Sequence, residues 1–346
     1  MKRYGNLFNK ITSIENILEA HRQARKDKSH YKEVQKVDED PLFYARIIKY
    51  ILDNEIYQVG KYKREIINDR GKERELMKLP YYPDRIIQWA ILLQLEPILL
   101  NKFIKQTCAS IPGRGIHTAW AYMQKYLKDE AGTKYCLKMD VRKFYDNVDH
   151  DTLKNMLRKT FKDEKLLRLL FKIIDSYPLD KGIPIGSYLS QYFGNFYLHT
   201  LDHYIKEHLH CKYYIRYMDD MVILSDDKEE LRFILNQIQN YLAFYLKLQL
   251  KDNYQIFPTK TRGVDFVGYR FFGDYTLLRK RVAKNFKSKM RKLEKKTDYD
   301  NRDLSTVCSY IGWLKYCDSY RLKDKYVGGL YEKIRSSTKG DKQWIN

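Results

Sequence analysis

Tyr213-Tyr-Ile-Arg-Tyr217, Met218-Asp219-Asp220 and Met221-Val-Ile-Leu224 form two apolar runs around three residues, two of them acidic. Short runs rich in aromatic and β-branched residues, separated by a tight connection, are the pattern of a β-hairpin. Such a hairpin presents Asp219 and Asp220 at its tip. A third acid stands in a similar setting 79 residues earlier. Tyr135-Cys-Leu-Lys-Met-Asp140-Val141 follows Gly132 as a short strand, with Asp140 at its end. Acids on buried-type strands are costly unless a cation or basic partner meets them. Two strands side by side would bring Asp140 and Asp219 into one metal site. In-line nucleotidyl transfer uses that arrangement, with two Mg²⁺ ions about 4 Å apart clamping the attacking and leaving oxygens. Taken alone, an Asp-Asp pair in a loop reads as simply solvated; its surroundings here are what favour the metal reading.

Downstream, Glu229 to Leu246 has helical spacing, and Phe266–Phe272 with Tyr275–Leu278 reads as a hairpin around Gly273-Asp274. Upstream, Asp149 caps a helix running to about Phe161, because its carboxylate can accept from the free N–H groups of the first turn. Leu166 to Ile174 is a second helix. The loop Gly182-Ile-Pro-Ile-Gly186 leads into a third, through about Glu207. Residues 61–67 and 72–79 flank Asn68-Asp69-Arg70-Gly71, a hairpin with its turn at the glycine. Asp84 to Leu100 is a helix with Ile86, Ile87, Ala90, Leu93 and Ile98 inward, and Pro97 is a place for a kink. Ile11, Ile14, Ile17 and Leu18 fall at helical spacing, and a basic patch follows from Arg22 to Lys32. The order implies an α+β fold, an antiparallel sheet carrying helices on one face.

The chain has 346 residues, about two domains' worth. Its net charge of +21 argues against a small neutral substrate and for a polyanionic partner, nucleic acid or an anionic membrane surface. A content of 31 Tyr is too aromatic for a disordered basic tail. The most apolar stretch, Ala90–Leu100, is broken by Gln94, Glu96 and Pro97, and no apolar block follows the N-terminal Met-Lys-Arg. A cytoplasmic protein without membrane attachment is expected. Five scattered cysteines without a C-x-x-C pair are expected to be small buried hydrophobes. His199 and His203 stand at i, i+4 near His208, His210 and Cys211, which makes zinc a candidate. Without H-E-x-x-H or a second nearby cysteine, an ordinary helix and turn is the preferred reading.

Four motifs, in order, resemble reverse transcriptases. Tyr217-Met-Asp-Asp220 is similar to their polymerase signature. Lys138-Met-Asp140-Val-Arg-Lys-Phe144-Tyr145-Asp-Asn-Val-Asp-His150 resembles their first palm motif. Arg74-Glu-Leu76 with Pro80 and Asp84-Arg-Ile-Ile-Gln88 resembles the fingers of bacterial and group II intron enzymes, and Phe266-Val-Gly-Tyr-Arg-Phe271 the primer-grip hairpin. The likeness spans about Asn6 to Tyr331. It implies a right-hand polymerase fold: N-terminal region and fingers over 1–133, palm over 134–274 with fingers-associated helices at about 150–182, and the primer-grip end with a basic helical thumb over 275–346.

The same resemblance implies the roles. Asp140 and Asp219 correspond to the metal-bridging carboxylates, Asp220 supports them, and Val141 lends a backbone carbonyl. The ions are two Mg²⁺, with Mn²⁺ a substitute in vitro. Tyr145, beside Phe144, resembles the steric gate against a ribose 2′-OH; core packing is the other reading of that ring. Arg74 resembles the fingers residue that pairs with the incoming triphosphate, which a guanidinium fork suits. Lys63 on the facing strand is a candidate for the same job, or a solvated charge. Gly268 and Tyr269 fall in the primer grip. The segment from Arg279 to Lys296 holds ten basic residues and one acid. Arg279, Lys280, Arg281, Lys284, Lys287 and Arg291 resemble thumb contacts to primer–template phosphates.

The pattern also departs from the family's. Where most members have Gln-Gly-x-x-x-Ser-Pro, this chain reads Ile185-Gly186-Ser-Tyr-Leu-Ser190-Gln191. That variant, with Asn253-Tyr-Gln-Ile-Phe-Pro258 and Arg262-Gly-Val-Asp-Phe-Val-Gly268, resembles the enzymes of diversity-generating retroelements. Ile185 cannot hydrogen-bond an incoming nucleotide, so one bond that separates right from wrong pairs goes unmade, worth about 1 kcal/mol. The resemblance implies error-prone cDNA synthesis opposite template adenines. It also implies dNTPs, a template RNA and primer–template duplex, and a small basic helical accessory protein as partners. The lysine of the fourth palm motif would fall near Tyr254, and Lys251 is the candidate to replace it as acid for pyrophosphate departure. No endonuclease pattern or RNase H-sized stretch follows residue 300. Other bacterial classes (retron, group II-like, phage-defence) and a catalytically silent RNA-binding scaffold are the competing readings.

Overall fold

The structure, a computed structural model, describes residues 3–69 and 72–338. The chain divides into two compact units. One takes the described residues up to 115 with 138–223 and 232–255; the other takes 116–137, 224–231 and the described residues from 256 onward.

In the first unit, strands β1 (Lys63–Asp69) and β2 (Lys72–Lys78) pair antiparallel. Arg70 and Gly71, in the expected turn, lie outside the described residues. Lys63 is opposite Lys78 and Arg74 opposite Ile67. Because a strand alternates its faces with period two, positions 63 and 74 share one face of the ribbon. Strands β3 (Thr107–Cys108), β4 (Tyr135–Asp140), β5 (Tyr213–Tyr217) and β6 (Asp220–Ser225) follow in the order β3–β5–β6–β4 across a sheet, and β7 (Gln255–Pro258) falls in the second unit apart from Gln255. The expected sheet was antiparallel throughout, but β3 runs parallel to β5, with Thr107 opposite Arg216. A two-residue strand shows no alternation to read, and a parallel pair is joined only through a long crossover.

The core of this unit is the helix Ile86–Leu100, whose Ile87, Ala90, Ile91, Leu95 and Leu99 have no exposed surface. Pro97 lies inside it. The helix begins at Ile86 and not at Asp84, because Tyr81–Arg85 is a wider turn in which Tyr82 is extended. Asp84 is buried there, accepting from the Tyr57 hydroxyl (2.6 Å) and the Gly60 N–H (2.9 Å). The helix Ile14–Ala24 packs alongside, tied by Asn16 Nδ2 donating to the Ala90 carbonyl at 3.0 Å. Asp149 caps the helix His150–Thr160 as its sequence requires, accepting from the Thr152 N–H at 2.8 Å.

In the second unit, β8 (Val264–Phe266), β9 (Tyr269–Phe271) and β10 (Thr276–Leu278) form a three-stranded antiparallel sheet. A single hairpin was expected. The run Phe266–Phe272 is divided by a turn in which Val267 and Gly268 both have positive φ, +42° and +90°. That is the backbone of a two-residue hairpin loop, and it costs a valine strain. Three helices follow, Lys280–Glu294, Asn301–Leu314 and Tyr320–Ser337. Phe286 of the first is buried against Tyr310 and Tyr326, with ring centroids at 5.4 and 5.8 Å. Cys108, Cys136 and Cys211 are buried, but Cys308 is exposed on the second of these helices and Cys317 is half-buried just beyond it. Burial was expected for all five; the second helix has an outward face that the scattered spacing did not show. Among the described residues no helix is long and apolar enough to cross a membrane.

Candidate active site

Backbone hydrogen bonds join the segments that carry the acids. β4 ends on Asp140, and the N–H of the next residue, Val141, donates to the Asp219 carbonyl at 3.4 Å. On the other flank the Lys251 N–H donates to the Asp140 carbonyl, and the Arg142 N–H to the Gln249 carbonyl, both at 2.8 Å. Asp140 is thereby fixed between the hairpin tip and residues 249–251. Burial first, and the neighbouring Asp140 charge second, push the Asp219 carboxyl up to about 7, and the two carboxyls share a hydrogen bond. The Lys251 ammonium pairs with Asp140 Oδ1, and Lys138 Nζ stands 3.7 Å from Asp220 Oδ2.

These donors suit a hard divalent ion. A divalent cation can take the place of the proton that the two carboxyls share, and carboxylate oxygens are preferred protein ligands of such an ion. Among the described residues no three His, Cys, Asp or Glu side chains converge as a cage. An ion of this type is commonly held by one or two carboxylates and takes its other ligands from water and substrate phosphates.

A second set of bonds places the nucleotide-side candidates. Phe144 is buried and packs edge-on to Tyr145, ring centroids 5.4 Å apart, so Phe144 is the packing member of the pair and Tyr145 the half-open one. The 182–186 loop returns beneath them. Gly182 N–H donates to the Val148 carbonyl (2.7 Å) and Ile183 N–H to the Tyr145 carbonyl (2.8 Å). Its far end docks on the ribbon, where the Met77 N–H donates to the Ile185 carbonyl at 3.0 Å. Gly186 adopts φ +114°, a conformation that L side chains rarely adopt. The loop thus fixes Ile185 between the Tyr145 turn and β2. Ser187 caps the helix Tyr188–His203, on which Gln191 lies half-buried, and donates to Gln88 Oε1 at 2.6 Å. Lys63 is exposed; the Arg74 backbone is in β2, and its side chain lies outside the described residues.

A family model described as reverse transcriptase (RNA-dependent DNA polymerase) matches residues 62–271, which include all three acids, Tyr145 and Ile185. The chain belongs to the reverse transcriptase family. It is 21% identical over 294 residues to the group II intron-encoded protein LtrA of Lactococcus lactis subsp. cremoris, covering 65% of this chain and 49% of that protein. It is 27% identical over 258 residues to protein YkfC of Escherichia coli (strain K12), covering 62% and 66%. The chain thus spans between about half and two thirds of the length of these relatives. Its fold resembles telomerase from Candida albicans, solved with a fragment of telomeric RNA, at a TM-score of 0.50 and 12% identity over 87% of this chain and 65% of that one. The architecture is the mixed helix-and-sheet fold of a right-hand polymerase.

Some residues assigned from the reverse transcriptase pattern sit differently from expectation. Gly268 and Tyr269 are buried. A Cβ on Gly268 would come within 2.5 Å of the Trp313 ring, and the Tyr269 hydroxyl donates to the Trp313 carbonyl at 3.1 Å. Packing of the three-stranded sheet on Trp313, not open contact with a primer, is what this structure gives both. Arg279 is committed to an ion pair with Asp265. Lys280, Arg281, Lys284 and Arg291 are exposed and Lys287 is half-buried. An open groove of about 610 Å³ is lined by Lys280, Lys284, Lys287, Arg291, Lys292 and Lys295. Both ring nitrogens of His203 are engaged, one with the Lys102 carbonyl (2.8 Å) and one with Glu207 (2.6 Å).

Sequence reasoning missed Arg216, Asp202 and Asn195. All three are wholly buried, and Arg216 Nη1 donates to the carbonyl of Met218 in the acidic turn at 2.8 Å. The available signal was a charged residue inside the apolar run Tyr213–Tyr217, since Arg is rarely buried without a partner.

Proposed function

We propose that this chain is an RNA-directed DNA polymerase that extends a primer on an RNA template by nucleotidyl transfer. The adjacency of Asp140 and Asp219, whose segments are joined by the Val141 N–H to Asp219 carbonyl bond, is the observation that supports this reading. Those two, with the Val141 carbonyl and Asp220 in support, would hold two Mg²⁺ ions, or Mn²⁺ in vitro. The ions supply charge neutralisation for the attacking 3′-oxygen and the departing pyrophosphate. The remaining work falls to the protein. Tyr145 fills the space of a ribose 2′-OH, Arg74 and Lys63 meet the triphosphate from the ribbon, and Gly186 and Gln191 shape the base-pair side. Lys251, paired with Asp140, is the candidate acid for the leaving pyrophosphate. Lys280, Arg281, Lys284, Lys287 and Arg291 hold the duplex backbone electrostatically, without reading sequence. We assign fingers, palm and thumb to 1–133, 134–274 and 275–346.

Within the family we favour the enzymes of diversity-generating retroelements, cytoplasmic and working with a template RNA and a small basic accessory protein. The support is Ile185, held by its backbone on β2 where a glutamine amide would orient the nucleotide. The likeness to LtrA supports a group II-type enzyme as the second reading. Sequencing cDNA copied from a defined RNA separates them. Substitutions concentrated at template adenines support the first, and an even, low error spectrum overturns it.

A further inference from the structure

Arg216 lies in β5 and Asp202 in the helix Tyr188–His203, and both side chains have no exposed surface. A buried ion pair is expensive to desolvate and persists only with its hydrogen bonds complete. A guanidinium has five N–H donors. Here Nε donates to Asp202 Oδ1 (2.7 Å) and Nη2 to Asp202 Oδ2 (2.5 Å) and the Asn195 carbonyl (3.5 Å). Nη1 donates to Asn195 Oδ1 (3.0 Å) and the Met218 carbonyl (2.8 Å). Asp202 also accepts from the hydroxyls of Tyr214 (2.6 Å) and Thr107 (2.8 Å).

The Met218 carbonyl is the acceptor that reaches the chemistry. Met218 has φ +54°, in the left-handed region, and its N–H donates to the Cys108 carbonyl at 3.3 Å. Its carbonyl belongs to the peptide plane that carries the Asp219 nitrogen. Holding that oxygen sets the plane and therefore the direction in which Asp219 leaves the turn. Asn195 Nδ2 donates to the Ala109 carbonyl at 3.0 Å, anchoring the same network just past β3.

We infer that Arg216 is a positioning residue: its buried guanidinium, locked by Asp202 and Asn195, holds the Met218 carbonyl and so aims Asp219 at Asp140 before any ion binds. This rests on Asp140 and Asp219 being the metal-holding pair. Arg216→Lys keeps a charge for Asp202, but its three donors on one nitrogen cannot also span Asn195 and Met218.

The test uses the full chain without nucleic acid, with Mn²⁺ binding followed by electron paramagnetic resonance and folding by thermal denaturation. Arg216→Lys should unfold cooperatively while binding Mn²⁺ about tenfold more weakly. In primer extension its half-saturating Mg²⁺ should rise by a similar factor, with primer–template affinity unchanged. A folded Arg216→Lys with wild-type Mn²⁺ affinity overturns the inference. Should that variant fail to fold, Asn195→Ala leaves the ion pair intact and should weaken Mn²⁺ in the same direction; unchanged affinity there overturns it equally. Asp219→Asn run in parallel separates the levels: wild-type Mn²⁺ affinity in that variant overturns the metal-pair assignment beneath.

Discussion

Metal binding at the acidic pair must displace a proton, and the structure sets how strongly. Burial and the Asp140 charge raise the Asp219 carboxyl from 3.8 to about 7. With that value the group is about nine-tenths protonated at pH 6 and about one-tenth at pH 8. An ion that needs both carboxylates ionised then binds about tenfold more weakly at pH 6 than at pH 8, releasing close to one proton at the lower pH. The sign for stability follows. The folded chain holds this proton more tightly than the unfolded one between pH 3.8 and about 7, so the metal-free protein loses stability as pH rises through that window. Divalent ion should restore it most above pH 7. Calorimetric Mn²⁺ titration in two buffers of different ionisation enthalpy measures affinity and proton release together. An affinity that is flat from pH 6 to pH 8, with no proton released, refutes the like-charge pairing of Asp140 and Asp219.

Three further outcomes are expected. Tyr145→Ala should open the 2′-OH space, so discrimination against ribonucleotides in steady-state extension falls by at least about tenfold; unchanged discrimination returns Tyr145 to simple packing. Ile185→Gln should raise fidelity opposite template adenine several-fold, as one regained hydrogen bond is worth about 1 kcal/mol, and an unaltered adenine error rate in sequenced products rules that role out. Lys284→Ala with Lys287→Ala should flatten the salt dependence of duplex binding, by about 0.9 in log–log slope for each phosphate left without its lysine; an unchanged slope moves the duplex off this helix.

The hairpin around Asp219, the strand ending at Asp140 and the cap at Asp149 were legible because local pattern decides each of them. The runs alternate or bury locally, and the cap needs only its own first turn. What was not legible depended on distant partners. The parallel pairing of β3 rests on two residues, Thr107 and Cys108, too few to show a period. The Val267–Gly268 turn hid because valine seldom takes positive φ. Tyr269 has the motif of a primer contact, yet Trp313, 44 residues on, covers it. Arg216 is a charge in an apolar run, and the acceptors that satisfy it come from Asn195, Asp202 and Met218, two of them on another element. Charge behaved in the same way. The +21 excess pointed to a polyanion, but only the structure separates Arg279, spent on Asp265, from the exposed Lys280 and Lys284.

Extension of a DNA primer on an RNA template, with deoxynucleotides and Mg²⁺, bears most directly on the proposed chemistry when the intact chain is set beside Asp219→Asn. The intact chain should extend the primer and stop when the ion is chelated, while Asp219→Asn, folded and still binding duplex, should give no product above background. Extension by Asp219→Asn at a rate near that of the intact chain would contradict the assignment of the polymerase site to the Asp140–Asp219 pair.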